Sequence, residues 1–133
     1  MGERPAAEKP VIEYRFTGGG IFDEPFGIRL YEDGRAENGY AEDGRVEFQR
    51  DGKTKEFRIT PDQVKRYAED LVKAGFFELK VNNLLTCPGG ECGELTLNYN
   101  GTSKNVSWNM VCPYEVSEVT RELRRLGEQN QIL

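Results

Sequence analysis

A chain of 133 residues with 23 acidic and 18 basic side chains has a formal net charge of −5 and no long basic run. This argues against nucleic acid as a ligand, because phosphate neutralisation needs a positive surface. Histidine is absent, which excludes serine–histidine triads, cysteine–histidine dyads and two-histidine zinc helices, while an enzyme built on carboxylates or lysine stays open.

The length suits a single domain, able to hide all but roughly 7,000 Å² of the roughly 22,000 Å² that its unfolded form would expose. Disulfides are therefore optional. No segment approaches the roughly 20 apolar residues that a membrane-spanning helix needs. The chain as written carries no secretory signal, which points to the cytoplasm. Met1-Gly2 ahead of a Pro/Ala/Glu/Lys segment equally fits a start that replaces a removed leader, which would place the protein in the periplasm or outside the cell.

Residues 1–10, MGERPAAEKP, have almost nothing to bury and read as a disordered lead-in to a domain over 11–133. Ile12, Tyr14 and Phe16 alternate with Glu13 and Arg15, the pattern of a half-buried strand ending at Thr17. Gly18-Gly19-Gly20 stops it. A second strand follows over Gly27–Tyr31, with Phe26, Ile28 and Leu30 on one face and Arg29 and Tyr31 on the other. Asp-Gly pairs then recur at 33, 43 and 51. Read as type I′ hairpin turns, they predict a meander with strands near 35–41, 44–50 and 53–59, with Val46, Phe48, Phe57 and Ile59 inward. Asn38-Gly39 competes as a turn.

The clearest element runs from Thr60 to Leu79. Thr60 is an N-cap with Gln63 three residues on, Pro61 suits the first helical position, and Gly75 supplies a left-handed stop. Val64, Tyr67, Ala68, Leu71 and Val72 make the apolar stripe of a rod about 21 Å long, fit to lie across a sheet. Phe77, Leu79 and Val81 predict a short strand after it. Leu95, Leu97 and Tyr99 pair across Asn100-Gly101-Thr102-Ser103 with Val106, Trp108 and Met110, with 97 set opposite 106 and 95 opposite 108. Pro113 opens a last helix with Val116, Val119, Leu123 and Leu126 on one stripe and Gly127 at its end. The expected fold is α+β: an antiparallel meander sheet of about seven to eight strands with two helices packed on one face.

Three places could carry function. Gly18–Phe26, GGGIFDEPF, is either a protruding contact loop with Asp23 and Glu24 as charged specificity groups, or a bulge whose Ile21, Phe22 and Phe26 turn inward. No Gly-Lys-Ser/Thr follows, so it is not a phosphate loop. The cysteines Cys87, Cys92 and Cys112 are odd in number. CPGGEC at 87–92 is open to a thiolate zinc site short of one ligand, to a disulfide, or to plain reduced thiols. The carboxylate pairs Glu32/Asp33 and Glu42/Asp43 lack calcium-loop spacing and read as solvated turn residues. The glycosylation triplets at Asn100 and Asn105 read as chance matches.

An opening strand running into TGGGIFD, a strand ending in an Asp-Gly turn, then ITPDQVKRYAEDLVKAGFFEL, CGELTLNYNG and a closing helix together resemble the emfourin-like proteins and their bacterial relatives, over roughly residues 11–126. Emfourin-type proteins are small bacterial inhibitors of thermolysin-like metalloproteases, and the wider set includes envelope lipoprotein domains without known activity. Where those inhibitors resemble SGGFAG this chain has TGGGIFD, and its meander before the first helix is longer, as in the relatives without known activity. The resemblance implies a non-enzymatic protein-binding domain whose partner is a metalloprotease. Gly18 and Gly19 match the family's glycines, and Gly20, Ile21, Phe22, Asp23 and Glu24 form the contact. No cofactor and no metal site is expected. The alternative is a structural or assembly subunit, or an envelope module, with no inhibitory activity.

Overall fold

The computed structural model describes residues 9–16, 26–42, 45–48, 55–79, 92–109 and 114–130. Among the described residues, eight strands and two helices make an α+β fold: β1 (Ile12–Phe16), β2 (Phe26–Leu30), β3 (Arg35–Asn38), β4 (Tyr40–Glu42), β5 (Arg45–Glu47), β6 (Lys55–Arg58), α1 (Pro61–Lys73), β7 (Cys92–Tyr99), β8 (Thr102–Asn109) and α2 (Tyr114–Gln129). Six strands form one antiparallel sheet in the order β6-β3-β2-β1-β7-β8, and β4 and β5 form a separate two-stranded ribbon. This corrects the expected single meander in two ways. The ribbon leaves the main sheet, and β7 pairs with β1 instead of continuing from β6. Gly39 N still donates to Gly27 O at 2.9 Å, one rung beyond the Ile28–Asn38 pair, and the chain leaves the main sheet after it.

Alternation places Ile12, Tyr14, Phe16, Phe26, Ile28, Leu30, Ala36, Leu95, Leu97, Val106 and Trp108 in one buried cluster. Val64, Tyr67, Ala68 and Leu71 of α1 and Val116, Val119 and Leu123 of α2 join it. Tyr14 stacks with Trp108 at a centroid distance of 6.5 Å, and Trp108 covers Gly93 on the neighbouring strand, where a Cβ would overlap the indole. Val72, expected in the buried stripe of α1, is instead 37% exposed. It follows Leu71 by 100° of helix turn, which carries it past the edge of the sheet-facing stripe.

Helix α1 begins as its sequence requires. Thr60 Oγ1 accepts from Gln63 N at 3.1 Å and the Gln63 side chain accepts from Thr60 N at 3.0 Å, the reciprocal box that satisfies two orphan amides. It closes through Ala74 and Gly75, the latter at φ +95°. Of the strand expected at Phe77, Leu79 and Val81, Phe77 lies instead in a 3-10 turn over Phe76–Glu78 that Leu79 caps, and Val81 lies outside the described residues. Phe76 is wholly buried there, and Lys104 Nζ donates to Phe77 O at 2.9 Å and to Leu79 O. A side chain has taken the place of a strand partner.

The β7–β8 hairpin differs from expectation by two residues, pairing Leu95 with Val106, Leu97 with Lys104 and Gly93 with Trp108. Asn100 and Gly101 have φ of 51° and 78° and form a two-residue turn, so Tyr99 must face Thr102. The first Asp-Gly pair behaves differently. Gly34 alone is left-handed, Gly34 N donates to Tyr31 O at 3.0 Å and Tyr31 N to Arg35 O at 2.8 Å, a three-residue connection in place of the type I′ turn.

Gly127 does not end α2, which runs on to Gln129, so the arginines at 121, 124 and 125 lie in mid-helix and the last turn has no basic residue. The glycine is buried against Phe26 and Asn38.

The second face of the sheet is polar and ordered in rows. One row crosses six strands as Asn105, Thr96, Glu13, Arg29, Glu37 and Glu56. Glu13 accepts from Arg29 Nε and Arg15 Nε, both at 2.8 Å. Buried Glu37 accepts from Tyr31 Oη at 2.8 Å, and burial followed by that bond pushes the Tyr31 phenol up. Val46 and Phe48, expected inward, cover this face: Val46 is buried over Gly27, and the Arg29 guanidinium sits 4.1 Å from the centre of the Phe48 ring.

Candidate functional site

Most residues that the sequence singles out lie outside the described residues: Gly18, Gly19, Gly20, Ile21, Phe22, Asp23 and Glu24, together with Cys87 and Cys112. Cys92 opens β7 opposite Asn109. The residues flanking the glycine stretch are described. Phe16 and Phe26 are Cα partners, and Phe16 also faces Gly93. These strand ends, with Cys92 and Asn109, adjoin at one end of the sheet.

The opposite end holds an open cleft. It consists of two adjoining hollows of about 570 and 340 Å³ that share Val11, Glu32, Asn98, Tyr99 and Asn100. Three separate pieces of local chemistry build it: the Glu32-Asp33-Gly34 connection, the Asn100-Gly101 turn, and the first turn of α1 with Asp62 and Lys65. They meet because β7 lies beside β1. Val11 N donates to Leu30 O at 2.7 Å and Asn98 N to Val11 O at 2.8 Å, which sets Val11 between the two turns. The Asn98 side-chain amide fixes it further by donating to Pro10 O at 2.8 Å.

Glu32, Asp33 and Asp62 supply negative charge to the walls, Lys9 and Lys65 positive charge, and Thr102 and Ser103 hydroxyls. Several of the polar groups are already engaged: Tyr99 Oη donates to Glu69 Oε2 at 3.3 Å, and Asp33 Oδ1 accepts from Arg35 N at 3.0 Å. That bond, ahead of the Arg35 and Arg58 charges, holds the Asp33 carboxyl below its ordinary range. The α1 N-terminus is a poor anion site, since Thr60 and Gln63 cap it and Asp62 opposes a negative guest. Among the described residues no group of three or more His, Cys, Asp or Glu side chains could hold a metal ion. Likewise no described helix is long and apolar enough to cross a membrane. The arrangement offers hydrogen bonding and charge recognition.

The depressed Asp33 value has a signed consequence. A carboxyl with a lowered folded pKa adds stability above its unfolded pKa and loses that contribution as pH falls through the folded one. Asp33→Asn keeps an acceptor for the Arg35 amide but cannot titrate. Denaturation midpoints measured from neutral to acid pH should fall less steeply for the variant, which is the less stable of the two at neutrality and converges with the wild type in acid.

In sequence comparison the chain matches no protein-family model and no curated protein.

Proposed function

We propose that this chain is a non-enzymatic protein-binding domain that inhibits a thermolysin-like metalloprotease through the Gly18–Glu24 stretch. The observation that supports this most is the pairing of Phe16 with Phe26. The stretch is thereby anchored at both ends on β1 and β2, the two central strands of the sheet, each with a further strand on its outer side. A rigid base lowers the ordering cost of a recognition segment. Three glycines permit close backbone approach, Ile21 and Phe22 provide an apolar anchor for a specificity pocket, and Asp23 or Glu24 brings a carboxylate towards the metal. In this reading both helices roof one sheet face and serve only to stiffen the base.

The test is inhibition of a thermolysin-type protease by the wild type and by Phe22→Ala and Asp23→Ala. Loss of an anchor side chain should weaken inhibition by about tenfold or more. Undiminished potency in both variants removes the stretch from the mechanism, and no inhibition by the wild type removes the activity.

A structural or assembly subunit, or an envelope module, is favoured by a different observation. Strand β8 is an eight-residue edge strand, twice the length of β6 at the other edge, and long edges invite pairing. Co-purification with a stable partner that has no protease activity would support it.

A further inference from the structure

The sequence contains two Asn-Gly dipeptides, Asn38-Gly39 and Asn100-Gly101, and the fold gives them opposite environments. We propose that Asn100 is a site of spontaneous deamidation in the folded protein and that Asn38 is protected from it. The reaction needs no partner but water. The Gly101 backbone nitrogen attacks Asn100 Cγ and forms a new C–N bond as the Cγ–Nδ2 bond breaks. Ammonia leaves, carrying the proton lost by the Gly101 amide. Water then opens the five-membered imide at either carbonyl, leaving aspartate or isoaspartate, with no change of oxidation state.

This step requires a free amide nitrogen, an accessible side chain and a backbone able to turn towards it. Asn100 and Gly101 meet the first two as folded, and the third asks only for rotation within an exposed two-residue turn. Both are exposed, and a Cβ placed on Gly101 would meet nothing within 4 Å. Among the described residues neither the Asn100 side chain nor the Gly101 amide has a hydrogen-bond partner. At Asn38 both reacting nitrogens are occupied. Its side chain is 1% exposed and its Nδ2 donates to Gly127 O at 3.0 Å, while the attacking Gly39 amide donates to Gly27 O at 2.9 Å. Reaction there demands that two interior bonds open first.

The product alters the cleft. Asn100 lines both hollows, so conversion adds a carboxylate beside Glu32, Asp33 and Asp62. Isoaspartate also inserts a methylene into the turn that sets the β7–β8 register.

The test is to hold the full chain in mildly alkaline buffer, native and in denaturant, and follow the peptides around both asparagines by mass spectrometry, with isoaspartyl methyltransferase labelling to identify the product. In the native state Asn100 should convert at least about tenfold faster than Asn38, and within about tenfold of its own denatured rate, the contrast expected when one site needs local opening and the other does not. In denaturant the two rates should converge. Asn100→Gln should abolish the acidic species that accumulates on ion exchange in the native sample. A native Asn38 that keeps pace with Asn100, or a native Asn100 that falls further below its denatured rate, overturns the proposal.

Discussion

Gly34→Ala should lower the stability of the domain by about 3 kcal/mol, read as a shift in the denaturant midpoint or as a fall of about 10 °C in Tm. Two costs combine. Gly34 sits at φ +94°, where a Cβ costs about 1 kcal/mol or more through its clash with the following carbonyl. The added Cβ would also overlap Ile59 O and crowd the Pro61 ring, with Pro61 Cδ 3.3 Å away. Backbone cannot rotate aside as a side chain can. Relief means opening the bond from Ile59 N to Gly34 O, 2.9 Å long, which ties the β2–β3 connection to the residue just before the α1 cap. Gly34→Asn separates the two costs, since asparagine tolerates the left-handed region yet brings the same Cβ. It should recover only part of the loss. Wild-type stability in both variants would mean that the connection and the start of α1 do not touch.

Gly127→Ala should destabilise by about 2 kcal/mol, against the sign that helix propensity alone predicts. Alanine in a helix interior gains about 1 kcal/mol over glycine. Here the Cβ would overlap the Phe26 ring, with Cε1 at 2.6 Å, and would press on Asn38 Oδ1 at 2.7 Å. Overpacking of this kind costs about 1–3 kcal/mol. The same shift strains the bond from Asn38 Nδ2 to Gly127 O, and among the described residues Asn38 Oδ1 is already a buried acceptor without a partner. A double-mutant cycle with Phe26→Leu isolates the steric part. The smaller side chain should recover about 1 kcal/mol of the Gly127→Ala loss, and perfect additivity would place the conflict elsewhere.

These two glycines also mark where sequence reasoning stops. Local pattern makes Gly34 half of a type I′ turn and Gly127 a helix stop, yet each owes its place to a neighbour distant along the chain. Local chemistry succeeded where the constraint was local. The Thr60–Gln63 box, the left-handed Gly75 and the alternation of Ile12, Tyr14 and Phe16 were all legible, because their partners lie within a few residues or on one face of one strand. The hairpin register was misjudged by two residues for want of one decision, namely that Asn100-Gly101 closes the turn alone. Nothing in the sequence marks the cleft, because none of its parts is unusual. A capped helix start, a turn and an acidic connection become a cleft only when β7 is known to lie beside β1.

Composition and pattern alone determined the absence of histidine chemistry, the α+β class, the buried stripe of α1 and the two-faced strands, since charge, propensity and periodicity are properties of short stretches. Only the tertiary structure decided the strand order, the departure of β4 and β5 from the main sheet, the use of Gly27, Gly93 and Gly127 as sites of close approach, and which Asn-Gly dipeptide is sheltered. Those outcomes depend on which surfaces meet, and the free energy of that meeting is shared among residues that no local window contains together.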